Sequence, residues 1–361
     1  MSNNTQIDNI TEEHKSNASH RLAWTLIFIV IVLLSIVAVT SFNKNFSFRS
    51  FFKTLSESSP AWIAASVISM LCYILCEALA LMYICRSFGY GRKLDRGLQY
   101  ASTGIYFSAI TPSATGGQPA TAYVMIKDGI PGVFATVALL VNLLLYTLSI
   151  AILGALAFLL RPSLFLKFSV VSRIFIIIGT TAQTALTVFV LLLLRNKTIL
   201  HTIGACIIRI LKKLHLIRND QKWLSVFEEK MAEYDRYSEY LRGKKKMMLK
   251  ALAINLVERI SIIAVTMFTY LAIGAEGSNP FDILIMQIYV ILGSTFMPIP
   301  GSVGITDYLM IDGYSSLIAP SAAGTLELLS RTLSFYSCVF VCGIFIICEY
   351  FKGRKSDDRN I

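Results

Sequence analysis

Apolar runs dominate the chain, and their lengths sort into two classes. Six runs, near 22–42, 60–85, 133–160, 174–194, 251–273 and 326–350, are long enough to cross a hydrocarbon core of about 30 Å as α-helices rising about 1.5 Å per residue. Two others, 98–110 and 282–297, are apolar but short. Each runs into a motif rich in proline and glycine, 111–119 and 298–304, and a second short segment follows. Arms of roughly 13–16 residues span about 20–24 Å, so they reach into a bilayer and turn back. The pattern predicts an all-α polytopic membrane protein with six full transmembrane helices and two re-entrant helical hairpins, 98–127 and 282–318.

The same pattern divides the chain into a polar arm (1–21), a first membrane half (22–194), a basic loop (195–250), a second membrane half (251–350) and a tail (351–361). Helix 60–85, hairpin 98–127 and helix 133–160 correspond, upside down, to helix 251–273, hairpin 282–318 and helix 326–350. Inverted repeats interrupted at matching positions point to a transport pathway between the halves. The first apolar run is about twice as long as the ~7–15-residue core of a signal peptide, so it is expected to stay in place as a membrane anchor.

Composition supports the bilayer. Of 361 residues, 55% are hydrophobic and 15% charged, and the mean hydropathy of +0.63 excludes a water-soluble domain. The net charge of +11 is unevenly placed. With both hairpins re-entrant, 25 Lys and Arg fall on one side (the N-terminus, loop 86–97, Lys127, loop 195–250 and the tail) and six on the other, while Arg259 and Arg331 lie within helices. The positive-inside rule makes the first side cytoplasmic, giving a multi-pass protein of the cell membrane with both termini in the cytoplasm. Loop 195–250 holds fourteen Lys and Arg against six Asp and Glu, and 203–217 alternates apolar and basic groups as a helix lying on an anionic membrane surface does. Such charge fits lipid headgroups, or equally a solvated loop that sets topology. No nucleic-acid recognition module is present.

Enzyme chemistry finds little independent support, and catalysis by carboxylates within the membrane is the one form left open. The four histidines (14, 20, 201, 215) fall outside the crossings, and there is no nucleotide loop, nucleophile elbow or metal-ligand spacing. Seven cysteines lie mostly in apolar helices without C-x-x-C spacing and read as small buried hydrophobes. Neither a cofactor nor a metal is expected.

The interruptions carry the candidate chemistry. In 297–314, Pro298 and Pro300 stop the first arm, Gly301 and Gly304 allow tight backbone geometry, and Asp307 opens the returning arm. In 111–130, Pro112, Gly116, Gly117 and Pro119 have the same duties, with Gln118 and Thr121 as polar side chains. Free N–H groups where each arm restarts would suit a phosphate or another anion; the alternative is that both motifs are ordinary turns outside the membrane. Glu77, Glu258, Arg259, Asp307, Glu327 and Arg331 fall in or near hydrocarbon, where each costs about 2.5–3.5 kcal/mol unless paired or wet. Arg259 and Arg331 are candidates for holding a lipid phosphate, because a guanidinium donates to two oxygens at once. The alternative is structural pairing with Glu258 or Glu327, the latter at i, i+4 from Arg331.

The paired motifs T-P-x-x-x-G-G-Q-P-x-x-A-Y, from Thr111 to Tyr123, and P-x-P-G-x-x-G-x-x-[DE], from Pro298 to Asp307, resemble the lysylphosphatidylglycerol synthase transmembrane region, the flippase-like integral membrane family. The resemblance extends over roughly 20–350 and includes Glu258, Arg259 and Arg331. It implies a lipid flippase or translocase that passes a phospholipid headgroup, anionic or aminoacylated, through a polar intramembrane cavity, with membrane lipids as partners; self-association is left open. It also implies substrate contacts from Thr111, Gly116, Gly117, Gln118, Tyr123, Gly301, Gly304 and Asp307. Many relatives have Glu where Gln118 and Asp307 stand, which bears against proton coupling at the first motif. Bifunctional members add a soluble domain that transfers an aminoacyl group from tRNA to phosphatidylglycerol; this chain ends eleven residues after Tyr350, so a stand-alone membrane domain is expected, and a lysyltransferase label would describe the family. A channel or secondary transporter for a small polar solute and a non-transporting scaffold are the competing functions.

Overall fold

In the computed structural model, residues 48–357 are described, except 197, 200, 203, 205, 207, 208 and 210–219. The expected crossing at 22–42 and most of the amphipathic stretch 203–217 lie outside the described residues. The helices are α1 (Phe48–Glu57), α2 (Pro60–Ser87), α3 (Leu94–Ile110), α4 (Gly117–Lys127), α5 (Gly132–Leu160), α6 (Pro162–Lys167), α7 (Val170–Arg195), α8 (Asp220–Arg242), α9 (Lys245–Ala272), α10 (Pro280–Ser294), α11 (Ile305–Ser315), α12 (Pro320–Arg331) and α13 (Ser337–Asp357). No strand occurs among the described residues. Pro60, Pro162, Pro280 and Pro320 open their helices, where proline's missing N–H costs nothing and its fixed φ already suits the first turn.

Among the described residues, five helical segments are long and apolar enough to cross a membrane: Pro60–Ser87, Gly132–Leu160, Val170–Arg195, Lys245–Ala272 and Pro320–Glu349. They match five of the six expected crossings. The last begins six residues before the expected 326 and contains a π turn at Thr332–Tyr336 between α12 and α13. The two interrupted regions are short antiparallel helix pairs. Gly117 sits against Ser108 and Gly104 and Thr121 against Tyr100, which folds α4 back along α3; Tyr314 reaches Gln287 and Gly293 faces Leu309, which folds α11 back along α10. Each pair turns through a 3₁₀ tip, Pro112–Ala114 and Pro300–Ser302. The two tips touch.

α2 and α9 run antiparallel along one another: Ser59 N–H donates to the Ala272 carbonyl at 2.8 Å, Ser66 lies 3.3 Å from Thr269, and Ser261 3.4 Å from Cys72. Loops sort to two ends. At one, Tyr90 meets Tyr237 (3.1 Å), Tyr240 meets the Ser87 carbonyl (3.2 Å) and Arg92 meets the Asp128 carbonyl (2.9 Å), gathering 86–97, 128–130 and α8. At the other, Arg161 pairs with Asp282 (3.0 Å) and Asp312 accepts from Ser169 N–H (2.9 Å). The base of the α3–α4 pair is at the first end and that of the α10–α11 pair at the second, so the tips meet from opposite directions. The first end carries most of the basic residues, and we call it the basic end.

Two apolar cores fill these ends. Leu81, Ile84, Phe134, Leu145 and Met247 belong to the core at the basic end; Ile150, Phe168, Ile285, Leu309 and Leu326 belong to the other. Along α9, Asn255, Glu258 and Arg259 fall between Ala251 of the first core and Ile263 of the second. A polar layer therefore separates the two. Of the cysteines, 76, 85, 338 and 342 are buried as expected, whereas Cys206 and Cys348 are exposed.

Candidate functional site

The first polar cluster is built from three of the long helices. α9 supplies Glu258, with no exposed surface, and Arg259, which is 8% exposed; the two are ion-paired through Oε1 and Nη2. Tyr73 of α2 and Tyr146 of α5 place their rings 5.0 and 4.4 Å from the guanidinium carbon, so Arg259 lies between two π faces as well as beside a carboxylate. Glu77 accepts from Asn142 Nδ2 at 3.0 Å, and Asn255 Nδ2 donates to the Ala251 carbonyl at 3.1 Å and reaches Asn142 Oδ1 at 3.5 Å. Glu258 Oε2, Asn255 Oδ1 and Arg259 Nε remain buried without hydrogen-bond partners. Buried polar atoms left in this state are costly, and these three mark a place where a polar group from outside the chain would be welcome.

The second cluster lies beneath the second tip. Arg331 Nε stands 2.9 Å from Asp307 Oδ1, and Arg331 Nη2 donates to the Gly301 carbonyl at 3.3 Å. The approach to Asp307 is ionic without hydrogen-bond alignment, so both atoms keep unused bonding capacity. Asp307 Oδ2 accepts from Gly304 N–H at 2.9 Å. The chain's own carboxylate thus occupies the anion position that the sequence pattern assigns to a phosphate at the start of this arm. Phe335 stacks on Arg331, with the guanidinium carbon 4.6 Å from the ring centroid, and its far edge lies under Gly301. Glu327 is buried nearby, but the partner of Arg331 comes from the neighbouring helix α11, in place of the i, i+4 contact to Glu327.

The tips themselves are strained. Ser113 (φ 51°), Ala114 (φ 56°) and Ser302 (φ 50°) are the non-glycine residues with positive φ among the described residues, and all three lie on the tips. Left-handed backbone in residues with a Cβ costs about 1–3 kcal/mol and persists only where the surroundings impose it. Thr111 closes the first tip by donating to the Phe107 carbonyl (2.6 Å) and accepting from Gly116 N–H (2.9 Å).

The expected site residues separate into groups. Glu77, Glu258 and Arg259 come together; so do Gly301, Gly304, Asp307 and Arg331, with Glu327 close by. Thr111, Gly116 and Gly117 shape the first tip, which Pro112 opens, while Pro300 opens the second and Pro298 precedes it; all three prolines are exposed. Gln118 and Pro119 are exposed on α4, and Tyr123 is 67% exposed. Sequence reasoning missed Tyr73, Asn142, Tyr146, Asn255 and Phe335. A signal for Asn142 existed, since it is the sole amide in the otherwise apolar run 133–160.

At the basic end, burial pushes the Tyr234 phenol up to about 12, and burial together with its contact to Tyr90 pushes Tyr237 up to about 12. Both phenols therefore remain protonated, and Tyr234 holds the Leu193 carbonyl at 3.3 Å at neutral pH.

Among curated proteins, no relative matches the chain. The family described as "Lysylphosphatidylglycerol synthase TM region" matches over residues 25–342, which takes in both tips, both clusters, four of the five described spans in full and the fifth as far as residue 342. The chain belongs to the lysylphosphatidylglycerol synthase TM region family.

Proposed function

We propose that the protein is a lipid translocase that moves a phospholipid headgroup, anionic or aminoacylated, between leaflets along the polar layer while the acyl chains stay in the bilayer. The observation that carries this reading is that two opposed helix pairs meet tip to tip beside two buried arginine–carboxylate clusters. In this reading the pairs are re-entrant hairpins, because arms of 11–17 residues reach only part of the way across. The basic end faces the cytoplasm by the positive-inside rule.

The chemistry is an exchange of anions. A headgroup phosphate arriving at Arg331 takes the place of Asp307, whose carboxylate turns fully to the Gly304 N–H. The guanidinium is never left unpaired in a dry site, which is the costly condition. Arg259, held by Glu258, Tyr73 and Tyr146, offers a second stop of the same kind on α9. A wet, basic path of this sort removes the main barrier to crossing, the desolvation of the headgroup.

Transfer of fluorescent phosphatidylglycerol in vesicles reconstituted with the full chain tests this. Arg331→Ala should abolish transfer, and Arg331→Lys, which keeps charge but loses the planar fork, should fall between it and wild type. Full recovery in Arg331→Ala/Asp307→Ala and in Arg259→Ala/Glu258→Ala would show that the arginines serve only to neutralise carboxylates and would end the headgroup role.

A further inference from the structure

Where α7, α8 and α9 converge at the basic end, a groove of about 540 Å³ opens, with Leu144, Leu191, Leu194, Leu241 and Met248 in its walls and Arg195 and Lys245 exposed along it. Its backbone is already satisfied: Ser238 Oγ donates to the Leu194 carbonyl at 2.6 Å and Tyr234 to that of Leu193 at 3.3 Å. What remains is an apolar trough with cations beside it. On the α9 side the charge is basic, since Lys244, Lys245, Lys246 and Lys250 lie in a stretch, 240–257, that contains no Asp or Glu, whereas α8 carries Asp235 and Glu239 beside Ser238. Lys244 packs on the Tyr240 ring at 4.5 Å, while Lys245 and Lys246 point outward.

We infer that this groove is a binding site for one anionic phospholipid of the adjoining leaflet, its phosphate at Arg195 and Lys245 and an acyl chain along the leucines. Two observations converge on that occupant. The volume lies within the range of small-ligand sites, about 300–1,000 Å³, and its leucine and methionine walls would be left uncovered by a soluble phosphate. The groove also sits where the spans α7 and α9 begin or end in basic residues, the level at which lipid phosphates lie and at which each Lys or Arg adds attraction to an anionic leaflet. The lipid bridges α8 to the ends of α7 and α9, so it is a resident that fastens the basic loop to the spans. It is separate from any transported lipid, and the inference does not depend on the translocase reading.

Native mass spectrometry of the purified full chain, titrated with phosphatidylglycerol and separately with phosphatidylcholine, tests the site. Wild type should retain one phosphatidylglycerol that Arg195→Gln/Lys245→Gln binds at least about tenfold more weakly, as expected for two lost phosphate contacts, and should hold phosphatidylcholine no better than that variant does. Leu194→Trp/Leu241→Trp fills the trough with the charges intact and should lose the same lipid. Both charged positions are exposed, so the Gln variant should fold; it decides the matter alone if the Trp variant does not. Unchanged retention in the Gln variant, equal retention of phosphatidylcholine by wild type, or displacement of the lipid by millimolar inorganic phosphate would overturn the site. Arg331→Ala should keep this lipid; its loss there would put the lipid in the translocation path and overturn the resident role, whereas a failure of Arg331→Ala to affect transfer leaves the groove untouched.

Discussion

Gly301 and Gly304 sit three residues apart on the second tip, and both have positive φ, 60° and 83°. They differ in what a side chain would meet. A Cβ on Gly304 has nothing within 4 Å, whereas one on Gly301 would come within 2.2 Å of Phe335 Cζ. Alanine at 304 therefore reports backbone strain alone, about 1–3 kcal/mol at φ 83° and ψ −50°, a region L-residues rarely occupy, whereas 301, at φ 60° and ψ 10°, carries about 1–2 kcal/mol of left-handed strain. Alanine at 301 adds the cost of moving the Phe335 ring. Overpacking of this kind runs to about 1–3 kcal/mol, so the total for Gly301→Ala is about 2–5 kcal/mol. Because Phe335 also stacks on Arg331, moving it disturbs the ion pair with Asp307. Stability in detergent, followed by thermal or denaturant unfolding of Gly301→Ala, Gly304→Ala and Gly301→Ala/Phe335→Ala, separates the contributions. The double variant should lie closer to Phe335→Ala alone than the separate effects add up to, since removal of the ring relieves the clash. Simple additivity of Gly301→Ala and Phe335→Ala in the double variant would mean that Phe335 swings away freely, and the packed tip described above would be wrong.

Ala114→Gly, at φ 56° on the first tip, should stabilise the protein by about 1 kcal/mol in the same assay, because glycine adopts this conformation without the Cβ penalty; a loss of stability would show that the methyl group makes a contact worth more than the strain. Membrane-impermeant thiol labelling of single cysteines, in a background without native cysteines, should modify position 230 only after permeabilisation and position 166 in intact cells, in keeping with the sorting of basic loops; the reverse pattern would invert the orientation.

Apolar length alone located the five described spans, because a helix must match the hydrocarbon thickness and few other patterns do. The interruptions were equally legible: proline and paired glycine at 111–119 and 298–304 announce broken helices whatever surrounds them. Partner choice was not. Spacing favours Glu327 for Arg331, but α11 brings Asp307 to 2.9 Å instead, and no local rule anticipates a contact set by how α11 packs against the span that follows it. The motif names Gln118 and Tyr123, and the structure exposes both on α4; a glycine-rich string has no helical period from which to read the face they take. Asn142 and Asn255 were readable in principle as lone amides in apolar helices, but their mutual contact across α5 and α9 depends on tertiary register.

The π turn at Thr332–Tyr336 gives the helical segment Pro320–Glu349 two aims. A π turn holds one residue more than an α turn, so everything beyond it is rotated by about 100° relative to an unbroken helix. Upstream, Ser330 meets Thr266 at 2.5 Å and Arg331 faces the second tip; downstream, Cys338 and Cys342 are buried and Gly343 packs against Tyr106 of α3. A straight helix could satisfy only one of these neighbourhoods. The turn thus behaves as a one-residue insertion that has become indispensable: deleting any residue from 332–336 would restore a regular helix yet turn the face bearing Cys338 and Cys342 out of the protein, so this short stretch should be far less tolerant of length change than of substitution.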